Sequence, residues 1–430
     1  ENGLPSLYEM TTVAGDERIS IFQPQFSPDG RWLAYVSDKS GWWQIYVYDL
    51  ETGEHRQLTQ VVAEHGEPAW VQGVRTYTFS TDGKRLFFLR NQMGSVSLWQ
   101  LEVATGAEQS IPLPGYTSLL QPAISPDGKR LAMLASAGNI PLRVITCDLG
   151  GGVRIWKRGM AEELPANAYA IPQHITWAGM DGGSAYGLFY PPQNEAFEVS
   201  SLPPLVVMVH GGPTSQRVAS FNGGVQFFTS RGYAVLDVNY RGSTGYGREY
   251  RNKLRGSWGI FDVQDSVSGA RALVDKKLAD GNRIVIMGGS AGGFTVLKAL
   301  EDYPGFFRAG VCLYGVSNQF TLAAETHKFE ARYSDTLLGP LPQAAEIYRK
   351  RSPIFFVDKI RDPMIVFQGE IDNVVPRAQS DEVVDSLKRR NIPHEYHLYP
   401  GEGHGFRKTE NIAAMYQSID KFLRQYVIFA

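Results

Sequence analysis

"VIMGGSAGGF", residues 285–294, sets one serine between two pairs of glycines directly after an aliphatic run. RIVIM at 283–287 reads as a buried strand and FTVLKAL at 294–300 as a helix, so Ser290 falls on the turn between them. Gly288, Ser290 and Gly292 fit the pattern Gly-x-Ser-x-Gly. The chemistry explains the glycines. A serine held in an unfavourable backbone conformation at a sharp strand-to-helix turn needs neighbours without side chains, so that the helix can pack close while Oγ stands exposed. The reading is a nucleophile on a strained turn rather than an ordinary turn serine.

A hydroxyl is a weak nucleophile until a base takes its proton and a third group orients that base. Both partners are expected downstream, each on a loop that follows a strand-like run. PMIVFQGE at 363–370 leads into IDNVVP, which offers Asp372, and HEYHLYP at 394–400 leads into GEGHGF, which offers His404. Serine, then acid, then histidine is the chain order of an α/β-hydrolase. Glu370 competes for the acid, but Asp372 lies beyond the strand where the loop turns. Asp362 precedes that strand, at the wrong edge of the sheet. Of the other histidines, His55 and His65 belong to the first part of the chain, while His174, His394 and His397 lie in or beside strands. His327 is either a pocket residue or a surface helix position.

The tetrahedral oxyanion of acyl transfer needs backbone donors. HGGP at 210–213, after the strand PLVVM, is a loop of the kind that supplies one amide, and the residue after the nucleophile supplies another. Gly212 and Ala291 are therefore the expected oxyanion hole, with His210 shaping the loop rather than acting as base.

Around these motifs, from about residue 168, near-continuous apolar strands alternate with helix-length segments such as FDVQDSVSGARALVDKKL and the final IAAMYQSIDKFLRQYV. That alternation implies a mostly parallel sheet covered by helices on both faces, the fold class of the second domain. It is entered through a hairpin of HITWAGM and SAYGLFYPP around the turn Asp181-Gly182-Gly183. The stretch AEELPANAYAIP, 161–172, is the expected crossing, giving domains at 1–165 and 166–430.

Upstream the grammar is different. FSPDGRWLAYVSD at 26–38, FSTDGKRLFFLRN at 79–91 and ISPDGKRLAMLAS at 124–136 share one design, a tight turn feeding an alternating strand. Each is followed by a second strand ending in a turn, and the turn glycines Gly30, Gly83 and Gly128 recur at intervals of 53 and 45 residues. A repeat of that period built from short strands is the signature of β-propeller blades. Asp29, Asp82 and Asp127 are read as turn residues bonding their own backbone, not as a calcium site. LPSLYEMTTVAG at 4–15 resembles the second strand of a blade, so the expectation is an incomplete propeller of about three blades plus one strand, within a longer chain.

Composition narrows the function classes. Hydrophobic residues make up 43% and charged residues 20% of 430, a globular balance, and a formal net charge of −2 offers no basic field for nucleic acid or an anionic membrane. The longest apolar runs fall far short of the roughly 20 residues a membrane helix needs. Cys147 and Cys312 sit in apolar strand-like runs without metal-ligand spacing, so neither disulfide nor metal is expected, and a reducing, cytoplasmic setting is favoured.

Taken together, HGGP at 210–213, NYRGSTGYG at 239–247, WG at 258–259 with Asp262 and Asp265, GGSAGG at 288–293, GEIDNVVP at 369–376 and GEGHGF at 401–406 resemble the prolyl oligopeptidase family of serine peptidases, in particular its acylaminoacyl-peptidase-like branch. The resemblance covers the second domain, and the repeats are similar to that family's propeller. It implies hydrolysis of short peptides through an acyl-enzyme, releasing N-terminal acyl-amino acids, amino acids or dipeptides, with the propeller excluding folded proteins. It carries Ser290, Asp372 and His404 over as the triad and needs no cofactor. It also places Val316, Phe320 and Val374 around an apolar pocket, where their alternative is ordinary core. A homo-oligomer is a further implication. Many relatives carry His-Gly before the acid loop where this chain has Gln368-Gly369, a difference expected to be harmless. Two rival functions remain, a carboxylesterase on the same fold and a non-catalytic propeller scaffold.

Overall fold

The computed structural model describes residues 10–162, 165–196 and 201–430. Residues 4–9 of the first strand-like stretch and 163–164 of the expected crossing lie outside these. The chain divides into two compact units. One holds the N-terminal part to Ser136, Leu142–Gly159 and Gly245–Arg248, and the other holds Ala137–Pro141, Met160–Thr244 and Glu249–Ala430.

Among the described residues the first unit is built from three four-stranded antiparallel sheets, each formed by consecutive strands. They are Ile21–Phe26 to His55–Gln57, Tyr77–Phe79 to Glu108–Ile111, and Ser118–Ile124 to Val153–Arg158. These are the blades. Every SPDG or STDG turn is wired identically. The serine hydroxyl donates to the aspartate two residues on (Ser80 to Asp82, 2.6 Å) and accepts from the amide five residues on (Trp32 2.9 Å, Arg85 2.9 Å, Arg130 3.0 Å). The serine hydroxyl is also the main reason that the Asp29, Asp82 and Asp127 carboxyls lie below the usual carboxylate range. Gly30, Gly83 and Gly128 close the turns at φ 73°, 70° and 70°. Alternation then packs blade on blade. Leu86 and Phe88 join the core containing Ala34, Val36, Ile45 and Val47, while Phe87 and Leu89 point the other way, into the core of Leu119, Leu131, Met133 and Ile145.

The second unit centres on an eight-stranded sheet. Its order is Gln173–Ala178, Ser184–Tyr190, Ala234–Asn239, Leu205–Val209, Ile284–Gly289, Ala309–Leu313, Met364–Gly369 and His394–Tyr399. The first two strands form the antiparallel hairpin, and the other six run parallel. Because successive side chains alternate, Leu205, Val207 and Val209 enter one apolar core while Val206 and Met208 enter the other. Both faces are thus dry. Ala291–Asp302 and Phe261–Asp275 bury residues on the first face, and Gly223–Thr229 and Thr409–Leu423 on the second. Parallel strands deliver their loops to one edge of the sheet, where open α/β folds build sites.

Candidate active site

The loops following Leu205–Val209, Ile284–Gly289, Met364–Gly369 and His394–Tyr399 bring the site together. Ser290 occupies φ 57°, ψ −123°, a conformation that costs a non-glycine residue roughly 1–3 kcal/mol and persists only where the surroundings impose it. What imposes it is close packing. A Cβ on Gly292 would lie 2.2 Å from the Val209 carbonyl oxygen, one on Gly288 would meet the Gly292 backbone at 2.5 Å, and one on Gly293 would meet Gly315 Cα at 2.6 Å. The glycines let the helix Ala291–Asp302 start against three strands at once.

Ser290 Oγ lies 2.9 Å from His404 Nε2, and His404 Nδ1 lies 2.8 Å from Asp372 Oδ2. Asp372 has a fully buried side chain, and its Oδ1 accepts from the Val374 and Val375 amides, both at 2.9 Å. With the carboxylate on Nδ1, Nε2 is left to face the hydroxyl, the arrangement in which imidazole accepts a proton from serine. Glu370 is turned elsewhere, accepting from the Gly401 amide at 3.2 Å, and Asp362 accepts from Gly305 at 3.0 Å. The histidine loop is shaped by Glu402, whose carboxylate accepts from the amides of Arg407 and Lys408 and from Asn411.

Ala291 opens its helix, so its amide is one of those that no helix carbonyl accepts. The HGGP loop lies against it. A Cβ on Gly211 would be 3.3 Å from Ser290 Cβ and 4.0 Å from Ala291 N, and Gly212 adopts φ 123°. His210 is buried, hydrogen-bonded to Ser243 Oγ and the Gly211 carbonyl at 2.8 Å each, and stacked on Tyr240 at 4.4 Å. Burial pulls its pKa down to about 3, so it is a neutral brace of this loop.

Val316 is buried in the core, and Phe320 and Val374 pack against that core half-buried, Phe320 beside Tyr348 at 5.4 Å. His327 stands before the short turn Lys328–Glu330, its imidazole 4.0 Å from Glu330, rather than on a helix. Two residues take supporting roles that the sequence does not reveal. Tyr314 packs edge-on to the His404 ring at 4.8 Å, and Gln368 lies beneath Asp372. An aromatic residue at the end of a strand before a glycine was the available signal for Tyr314. Among the described residues no group of His, Cys, Asp and Glu side chains is placed to hold a metal ion, and no helix is long and apolar enough to cross a membrane.

Residues 219–428 match the family model described as the prolyl oligopeptidase family, and residues 8–170 match the TolB β-propeller domain. The chain is 36% identical over 230 residues to dipeptidyl peptidase family member 6 of Caenorhabditis elegans, covering 51% of this chain and 31% of that one. It is 32% identical over 461 residues to the human acylamino-acid-releasing enzyme, covering 99% of this chain and 62% of that one. A solved puromycin-hydrolyzing peptidase of Mycobacterium tuberculosis superposes with a TM-score of 0.92 at 34% identity, over 97% of this chain and 63% of that one. The chain thus spans between about a third and three fifths of the length of these relatives.

Proposed function

The chain belongs to the prolyl oligopeptidase family, and from that premise we propose that it is a serine peptidase hydrolysing short peptides through an acyl-enzyme. The observation that carries the reading is the continuous hydrogen-bonded line from Ser290 Oγ through His404 to the buried Asp372. In this reaction Oγ attacks the peptide carbonyl while His404 Nε2 takes its proton. The imidazolium is held by Asp372 and then donates the proton to the departing amine, and a water activated by the same imidazole releases the acyl group. The Ala291 and Gly212 amides receive the developing oxyanion. Strain at Ser290 keeps Oγ clear of its own helix. No step requires a metal or cofactor.

Acyl-amino acids and dipeptides are the products the relatives' names suggest, and these or single amino acids are proposed as the products of this chain. The test compares kcat/KM for N-acetyl-leucyl and leucyl p-nitroanilide, with Ser290→Ala as the blank. Preference for the acetylated compound assigns acylaminoacyl release, and preference for the free amine assigns an aminopeptidase. Ester cleavage with no amide cleavage in the parent would replace the peptidase reading with a carboxylesterase. Residual turnover in Ser290→Ala above about a thousandth of the parent would mean another nucleophile.

A further inference from the structure

A cavity of about 300 Å³ lies behind the reactive turn and contains neither Ser290 nor His404 in its lining. Its apolar part is formed by Met287, Leu313 and Met415, and its aromatic part by Tyr314, Phe406 and Tyr416. Among the described residues one cationic side chain lines it, Arg217. The Arg217 backbone is clamped from both sides by Asn239, whose Oδ1 accepts from Arg217 N at 2.6 Å and whose Nδ2 donates to Arg217 O at 2.9 Å. Its Nε lies 2.9 Å from Asp237 Oδ1, a carboxylate whose side chain is only 3% exposed. Among the described residues Asp237 is the one carboxylate paired with this guanidinium.

We propose that this cavity binds a small carboxylate with an apolar or aromatic body. A guanidinium presents five donors in a planar fork matched to a carboxylate, and pairing through Nε leaves the terminal nitrogens available. Asn239 fixes the backbone from which the side chain leaves, and the charge of Asp237 lies 2.9 Å from Nε. The thioethers of Met287 and Met415 adapt to a range of ligand shapes. A phosphate would bring more oxygens than one arginine can satisfy, and a cation would face Arg217. The cavity also touches the reactive centre from the rear. Gly288 and Gly289 in its wall lead directly to Ser290, and the Tyr314 ring that lines it is the one packed on His404.

The experiment is calorimetric titration of the full chain carrying Ser290→Ala with 4-phenylbutyrate and, in parallel, the uncharged 4-phenylbutanol. The acid should bind at least about tenfold more tightly than the alcohol, as expected when a charge-assisted bidentate pair is present in one and absent in the other. Arg217→Met should erase that difference. Because this change leaves Asp237 without its partner and can unfold the protein, Met415→Trp is the second variant. It fills the cavity from the helix side, keeps Arg217 and Asp237, and should abolish binding of both compounds while the variant, its melting temperature lowered by the larger side chain, still unfolds in one cooperative transition. Equal affinity for acid and alcohol, acid binding that survives Met415→Trp, or no heat of binding at millimolar acid would each overturn the proposal. These outcomes are read without turnover, so they stand apart from the success or failure of the peptidase assignment.

Discussion

Gln368 sits beneath Asp372, its Nε2 3.4 Å from Oδ2 and donating to the Val375 carbonyl at 3.1 Å, while Ser380 Oγ donates to Gln368 Oε1 at 2.8 Å. The side chain thereby ties the acid loop to the helix Ala378–Arg389. Gln368→Leu strands the buried Ser380 hydroxyl and Val375 carbonyl, each worth about 1–3 kcal/mol when left unsatisfied. Urea unfolding should report a loss of that order. kcat should fall less than for Asp372→Asn, for which a drop of roughly 10⁴ is expected because the imidazole adopts the wrong tautomer.

Gly292 leaves no room for a methyl group, since the obstacle 2.2 Å away is the Val209 backbone. Gly292→Ala should cost about 3 kcal/mol or more and displace the helix that carries the Ala291 amide, so stability and turnover fall together. Gly403→Ala is the control one residue before His404. Its nearest obstacle would be Ile371 O at 3.9 Å, and its melting temperature should match the parent's. Equal behaviour of the two variants would refute this account of the turn.

Asp262 is fully buried beneath the same helix, accepting from Thr295 Oγ1 and from the Gly259 amide at 2.7 Å each. Burial raises its pKa from 3.8 to about 6. The folded state therefore holds this proton more tightly than the unfolded chain. The resulting stabilisation is complete below about pH 4 and is lost as pH rises through 6, a change of up to about 3 kcal/mol. Asp262→Asn removes the titration. Unfolding free energies measured at pH 4 and pH 7 should move relative to the parent by that order in favour of the variant at the higher pH. A difference that does not change with pH would contradict the shift.

Arg241 is 1% exposed and joins three distant segments. It bonds Asp265 through Nε at 3.0 Å and Nη2 at 2.7 Å, reaches Asp181 of the entry hairpin at 2.6 Å, and lies 4.0 Å over the Phe261 ring. Arg241→Met leaves the Asp265 carboxylate buried and unpaired, which should destabilise by about 3–5 kcal/mol. Adding Asp265→Leu should return much of that loss, because the cost lies in the orphaned charge. Failure of the double variant to recover would place the energy in packing instead.

Legibility followed the range of the interactions involved. The inner strands of each blade could be read because their alternation is local, as in Leu86 to Leu89. The edge strand His55–Gln57 has no alternating apolar residues, and its identity comes from pairing with Gln44–Asp49. The run 225–240 reads as one apolar stretch, yet it folds as the helix Gly223–Thr229 and the strand Ala234–Asn239, broken at Gly232 with φ 87°. A short apolar segment does not reveal its period, and the break is enforced by packing of the two pieces in different layers.

By itself the sequence determined the two fold classes, the propeller repeat and the strand-turn-helix around Ser290, because turn chemistry and side-chain periodicity act over a few residues. It also supplied Asp372 and His404 as the ordered candidates on later loops. Folding in three dimensions was needed to establish that Asp372 rather than Glu370 reaches His404, that Tyr314 and Gln368 support that pair, and that Arg217, in the wall of a cavity, faces Asp237. The physical reason is that hydrogen bonds and ion pairs act over a few ångströms of space. Residues a hundred positions apart come within that distance only once the parallel sheet has delivered its loops to one edge.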